Sequence, residues 1–229
     1  KERLLSTLET NKTTDQAAIQ DIQENIDRLS KELEFRRAQS YAVPITLDSD
    51  CKHPELKLSE DQKRVWQEPA SPELDAASRA LLVVGKEGFV AGRQYWEVEV
   101  GEKLDWELGV LSESARDRVK REKAETLPEE GYWSLKRSQE DFFSSIKNKI
   151  EKKDMPYKVI GVFLDQEEGR ISFYDAQHMS LITTIPAELT NTISYYPFLS
   201  PRNNTGEQKP LAIHPIRVPI PLKPPKKEK

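Results

Sequence analysis

The chain has 229 residues, of which 36% are hydrophobic and 32% charged, with a net charge of −4. With a mean hydropathy of −0.72 it is too polar for uniform packing, so a globular body of roughly 170 residues with solvated flanks is expected. Residues 1–42 carry net −1 and the tail from Arg217 carries +4, leaving −7 between them, and an acidic body excludes the basic footprint of a nucleic-acid binder.

The opening Lys1-Glu2-Arg3 has no initiator methionine and no signal-like character, so the chain reads as a piece of a longer protein. It leads into a seven-residue repeat over residues 4–33. Leu5, Leu8, Ile19, Ile22, Ile26, Leu29 and Leu33 fall on alternating three- and four-residue steps, the seam of a coiled coil, and Lys12 and Asp15 keep the frame across the gap. A helix of this length, about 45 Å, is marginal alone in water, so the stripe needs a cover. That cover is either the chain's own domain or a second copy. The narrow 3.5-residue spacing favours a homodimer, in which Lys12 and Asp15 weaken the pairing locally and set its register or strand number.

From Ala42 the helical period stops. Val43–Leu47 reads as a short strand broken by Pro44, and Cys51 as a bystander thiol in a polar turn. Gln94–Val100 alternates with period two, Tyr95, Glu97 and Glu99 against Trp96, Val98 and Val100, which predicts a half-buried strand. Trp106–Val110, Val159–Leu164, Arg170–Tyr174, Leu181–Ile185, Tyr195–Phe198 and Pro210–Ile213 add strands, the second and third joined by a compact turn at Asp165–Gly169. Residues 139–152 interrupt them, because Phe142, Phe143, Ile146 and Ile150 have helical spacing and suggest a loop insertion with a turn or two of helix. Many short strands with regular turns predict a mostly β, two-sheet antiparallel sandwich behind the helix. Trp96, Trp106 and Trp133 are expected in its core and Trp66 half-exposed. The tail from Val218 is proline-spaced and basic and is expected to be disordered. Within it Pro221, Pro224 and Lys226 match a P-x-x-P-x-Lys ligand of SH3 domains.

The strand segments stand in an order and wording that resemble a PRY-SPRY domain. Ile45-Thr46-Leu47-Asp48, His53-Pro54-Glu55-Leu56 and Leu58–Gln62 are similar to the PRY opening. Gly92–Val100, Trp106–Val110, Gly131–Leu135, Gly161–Asp165, Ile171–Tyr174 and Tyr196–Phe198 are similar to the SPRY signature segments. The similarity covers residues 43–216, which divides the chain into a coiled-coil helix (1–42), the sandwich (43–216) and the tail (217–229). Arg36-Arg37-Ala38 ahead of the PRY opening and Lys209–Ile213 near the end resemble the intracellular region of a butyrophilin. Tripartite-motif ubiquitin ligases also place a coiled coil before this module, and they remain the alternative.

The resemblance implies a non-catalytic protein-interaction and signalling arm on the cytoplasmic side of the plasma membrane. Its parent would be a membrane-anchored receptor of the immunoglobulin superfamily active in immune, T-cell regulation. Its partner would be an unidentified intracellular protein held by the variable loops, here residues 67–80, 112–130, 136–155 and 199–209. The candidate rim is Gln94, Lys103, Arg116, Arg118 and Arg121. The sequence departs from the family in places, with Ser49 for a proline in a loop and Gln94 for a histidine. Some butyrophilins bind phosphorylated isoprenoids in a basic pocket on this domain. Ala80 and Gln94 stand at two of its histidine positions and Leu104 at a lysine position, with Arg118 left to match an arginine. Phosphate needs several charge-assisted contacts, so that ligand is not expected.

Catalytic chemistry is not expected either. His53, His178 and His214 lie far apart without metal-ligand spacing, and a single cysteine adds no cluster. No glycine-rich phosphate loop or nucleophile elbow occurs. Glu129-Glu130 and Glu167-Glu168 read as solvated turn charge. No cofactor, metal or nucleic acid is expected.

Overall fold

The computed structural model describes residues 2–67, 81–123, 127–146, 149–150, 157–201 and 209–216. It opens with one helix, α1 (Glu2–Gln39), of 38 residues, about 57 Å at 1.5 Å per residue. The strands then follow as β1 (Leu47–Lys52), β2 (Leu56–Leu58), β3 (Arg64–Gln67), β4 (Val83–Gly85), β5 (Arg93–Glu99) and β6 (Asp105–Ser112). A short helix, α2 (Glu113–Arg121), precedes β7 (Tyr132–Ser138), β8 (Asp141–Ser144), β9 (Lys149–Ile150) and β10 (Val159–Asp165). The chain closes with β11 (Arg170–Asp175), β12 (Ser180–Pro186), β13 (Tyr195–Ser200) and β14 (Leu211–His214).

These strands form two antiparallel sheets of seven, ordered β1-β4-β13-β6-β7-β8-β9 and β12-β11-β10-β5-β14-β3-β2. The predicted two-sheet sandwich behind a helix is therefore present. Alternation puts Trp96, Val98 and Val100 of one sheet opposite Trp106, Leu108 and Val110 of the other, and all six are buried in one core with Ile160, Val162, Leu164 and Phe173. Trp133 packs partly buried at its margin, and Trp66 stays half-exposed.

Five local expectations are corrected. Residues 43–46 form no strand; β1 begins at Leu47, and the proline segment crosses as a strap held by backbone bonds to β5. The predicted helical insertion at 139–152 contains β8 and β9, because Phe142 is drawn into the core against Trp106 and Tyr157 while Ile146 stays exposed. The presumed loop at 112–130 holds α2, whose start is fixed when the Ser112 side chain accepts a hydrogen bond from the Ala115 amide. Cys51 is not in a polar turn but buried in β1 against Leu82, Val84 and Phe198. Strand β5 is buried on both faces rather than one, because α1 covers the side that carries Tyr95 and Glu97.

Candidate protein-interaction surfaces

The last two turns of α1 dock on the outer face of the second sheet. Phe35 and Ala38 are 1% and 2% exposed and pack with Tyr95, Phe163 and Tyr174. The Phe35 ring meets Tyr95 and Tyr174 edge-on at 6.1 and 5.8 Å. Beneath them the Tyr95 hydroxyl and the Gln39 amide both donate to Glu97 Oε1, at 2.9 and 3.0 Å. Gly161 leaves the room for this cluster, since a Cβ there would lie 2.2 Å from the Tyr95 hydroxyl. Burial first, and the Glu97 carboxylate second, raise the Tyr95 pKa above its ordinary value of 10.0.

The chain leaving α1 continues the attachment. The Tyr95 amide donates to the Tyr41 carbonyl and the Val43 amide to the Tyr95 carbonyl, each at 2.9 Å. Arg93 lies over the Tyr41 ring at 5.7 Å and pairs with Asp165 at 3.1 Å and Glu167 at 2.9 Å. The helix is thus fixed to β5 by apolar, aromatic and backbone contacts together. Sequence reasoning missed this junction, although Phe35 and Ala38 fall outside the heptad frame and mark a second, opposite apolar face.

The seam faces away from the sandwich. Leu5, Ile19, Ile22, Ile26, Leu29 and Leu33 are all more than half exposed, up to 71% at Leu33. The Leu8 side chain lies outside the described residues. At 100° per residue, Phe35 and Ala38 point about half a turn from the stripe formed by Ile26, Leu29 and Leu33.

The candidate rim residues do not form one surface. Gln94 and Lys103 are each only 9% exposed. The Gln94 amide donates to the Ala91 carbonyl at 2.9 Å and lies against Gln166, while burial lowers the Lys103 ammonium below its ordinary pKa. Lys103 precedes β6 and α2 follows it, so roughly 20 Å of strand separates Lys103 from the α2 arginines. Buried side chains offer a partner little contact, and this removes Gln94 and Lys103 from the rim. On α2, Arg116 is held over the Tyr196 ring at 4.4 Å and donates to its hydroxyl at 3.1 Å. Arg118 and Arg121 are exposed, and Arg118 lines a polar cleft of about 390 Å³ with Ser114, Pro128, Glu129 and Glu130. Leu104 is 40% exposed, whereas Ala80 and the tail residues Pro221, Pro224 and Lys226 lie outside the described residues.

A larger groove of about 540 Å³ runs between the strap and the β3–β14 edge, lined by Val43, Pro44, Ile45, Lys63, Trp96 and Ile213 among others. Among the described residues no group of three or more His, Cys, Asp or Glu could hold a metal ion. No described helix is long and apolar enough to cross a membrane.

The SPRY domain family matches residues 93–211. The chain is 35% identical to human butyrophilin subfamily 1 member A1 over 83% of its own length and 36% of that protein. It is 36% identical to nuclear factor 7, ovary, from Xenopus laevis, over 69% of this chain and 26% of that one. To the E3 ubiquitin-protein ligase TRIM11 of Bos taurus it is 40% identical, over 62% and 30%. The chain therefore spans between about a quarter and just over a third of the length of these relatives. The PSpry domain of TRIM65 shares the fold, with a TM-score of 0.60 at 17% identity over 79% of this chain and 94% of that one.

Proposed function

The chain belongs to the SPRY-domain family, a class of protein-interaction modules, and from that premise we propose that it is the intracellular signalling arm of a butyrophilin-like, membrane-anchored receptor of the immunoglobulin superfamily. In this role it works in immune regulation as a homodimer joined through α1. It divides into the helix (1–42), the sandwich (43–216) and the tail (217–229), without catalytic function or cofactor. The observation that carries the dimer is the apolar seam left in solvent on a helix whose opposite face is docked. The breadth of similarity to butyrophilin, 83% of the chain against 62% for the ligase, supports the receptor assignment. The intracellular partner is assigned to the exposed α2 rim at Arg118 and Arg121, with the polar cleft beside it.

The second reading, the substrate-recognition end of a tripartite-motif ubiquitin ligase, draws on the 40% identity to TRIM11. The sequence preceding Lys1 in the parent separates the two. An apolar span of about 20 residues supports the receptor, and a zinc-binding B-box overturns it. Sedimentation tests the dimer: the chain should be dimeric at tens of micromolar and an Ile22→Asp, Ile26→Asp variant monomeric. A monomeric parent chain would refute association through the seam.

A further inference from the structure

We propose that the groove between the strap and β14 holds the chain's own continuation, with Arg217 paired to Glu97 and Val218-Pro219-Ile220-Pro221-Leu222 laid over Val43, Pro44 and Ile213. Two observations meet at this place, a buried carboxylate without a cation and an apolar groove without a cover.

Glu97 is 5% exposed, and one of its oxygens, Oε1, accepts the hydrogen bonds of both Tyr95 and Gln39. No cation pairs with it among the described residues. Arg93 on the same strand is engaged by Asp165 and Glu167. Lys63 is bonded to the Ile45 carbonyl and the Thr46 hydroxyl, and His214, opposite Glu97 on β14, makes no hydrogen bond to it. A carboxylate so far withdrawn from water is stable when a cation meets it. Glu97 and His214 both border the groove. Arg217 stands three residues beyond His214, at most about 11 Å of chain, so its long side chain can return to the carboxylate.

The groove suits an occupant that needs no ladder. The backbone groups of its walls are already engaged: the Val43 amide donates to the Tyr95 carbonyl, the Ile213 amide to the Lys63 carbonyl and the Lys63 ammonium to the Ile45 carbonyl. What is left to bind is apolar surface, since Val43 and Ile213 are only partly buried and Pro44 is exposed. The described residues run to Ile216, itself in the groove lining, and the segment that follows alternates apolar residues with prolines. Proline has no amide hydrogen in need of a partner, and it holds itself and the residue before it extended. Such a segment gives up little freedom on docking. Composition alone predicts disorder for it, and the groove supplies the cover that composition lacks. Tethering favours it over a free competitor, because a ligand on so short a link is present at an effective concentration on the order of millimolar.

Nuclear magnetic resonance on the full chain tests the assignment. The Ile220 and Leu222 amides should have order parameters near the value of about 0.85 typical of rigid backbone, not below about 0.6 as in a flexible one. Their methyl groups should show nuclear Overhauser contacts to the Val43 methyls. Arg217→Gln, which alters only the tail, should bring both order parameters below about 0.6 and remove most of the contact intensity. Low order parameters in the parent, or a rigid segment with no contact to Val43, would overturn the proposal. Contacts that survive Arg217→Gln undiminished would overturn the pairing with Glu97. In a mixture of differently labelled chains the contacts should be absent; their appearance there would place a second copy's segment in the groove and overturn the assignment to the chain's own.

Discussion

Phe35→Ala should detach the end of α1 while leaving the sandwich folded. The ring is 1% exposed and meets two tyrosines edge-on, and truncating a buried phenylalanine costs about 3–5 kcal/mol. Ala38 and the half-exposed Gln39 amide are the other α1 side chains that grip the sheet at this point, so little remains to offset the loss. Because the main core lies on the far face of the sheet, the cost should appear as local opening rather than global unfolding. At about 1.4 kcal/mol per tenfold, a loss of 3 kcal/mol raises the open population by about two orders of magnitude. Amide exchange should then speed up by that factor across residues 34–43, with β10 and β11 protected as before. Unchanged protection at 34–43 would show that the strap, not the ring, holds the helix. A matching drop in β10 would show that helix and sandwich unfold as one unit.

The buried Cys51 thiol, raised to about 11 chiefly by desolvation, should react with a disulfide reagent at pH 8 at least about a hundredfold more slowly in the native protein than in denaturant; equal rates would put the side chain at the surface. Tyr95 keeps its proton in the fold beyond the pH at which an unfolded tyrosine loses it, so its contribution is complete below pH 10.0 and drains away above it. Urea melts between pH 10 and 11.5 should fall less steeply for Tyr95→Phe than for the parent, by up to about 1.4 kcal/mol per pH unit, and parallel slopes would contradict the buried hydroxyl. Calorimetric titration with an isoprenoid diphosphate should give no binding tighter than about 10 μM, roughly −7 kcal/mol, since Gln94 is turned into the fold and Leu104 carries no charge. Tighter binding would mean that other residues rebuild the pocket.

The strands that proved legible were those whose two faces differ. Trp96, Val98 and Val100 alternate with polar neighbours, and β5 appeared where the period predicted it. Its outer face was misjudged because Tyr95 and Glu97 are covered by α1, 58 residues away in the case of Gln39, and no local period records a contact that distant. Phe142 and Ile150, with helical spacing, instead pair across β8 and β9, a case of tertiary demand overriding a short-range pattern. At α2 the basic run concealed an amphipathic helix whose buried contacts are only Ala115 and Val119. At the rim a resemblance supplies positions but not burial: Gln94 and Lys103 face inward here, while Arg118 and Arg121 stay exposed.

The two ends of the sandwich grip the same strand almost side by side. The chain arriving from α1 bonds to β5 at Tyr95, and the departing β14 pairs His214 with Glu97 two residues on. Ile216 then joins the cluster around Phe35. Tension applied between the helix and whatever follows Ile216 is therefore shunted through a few backbone bonds at one corner of β5. The hydrophobic interior lies off the line of force and hangs from it as a side load. Strain of this kind would peel the strap and β14 first, parting β3 and β2 from β5 while the other sheet and the α2 surface stay intact.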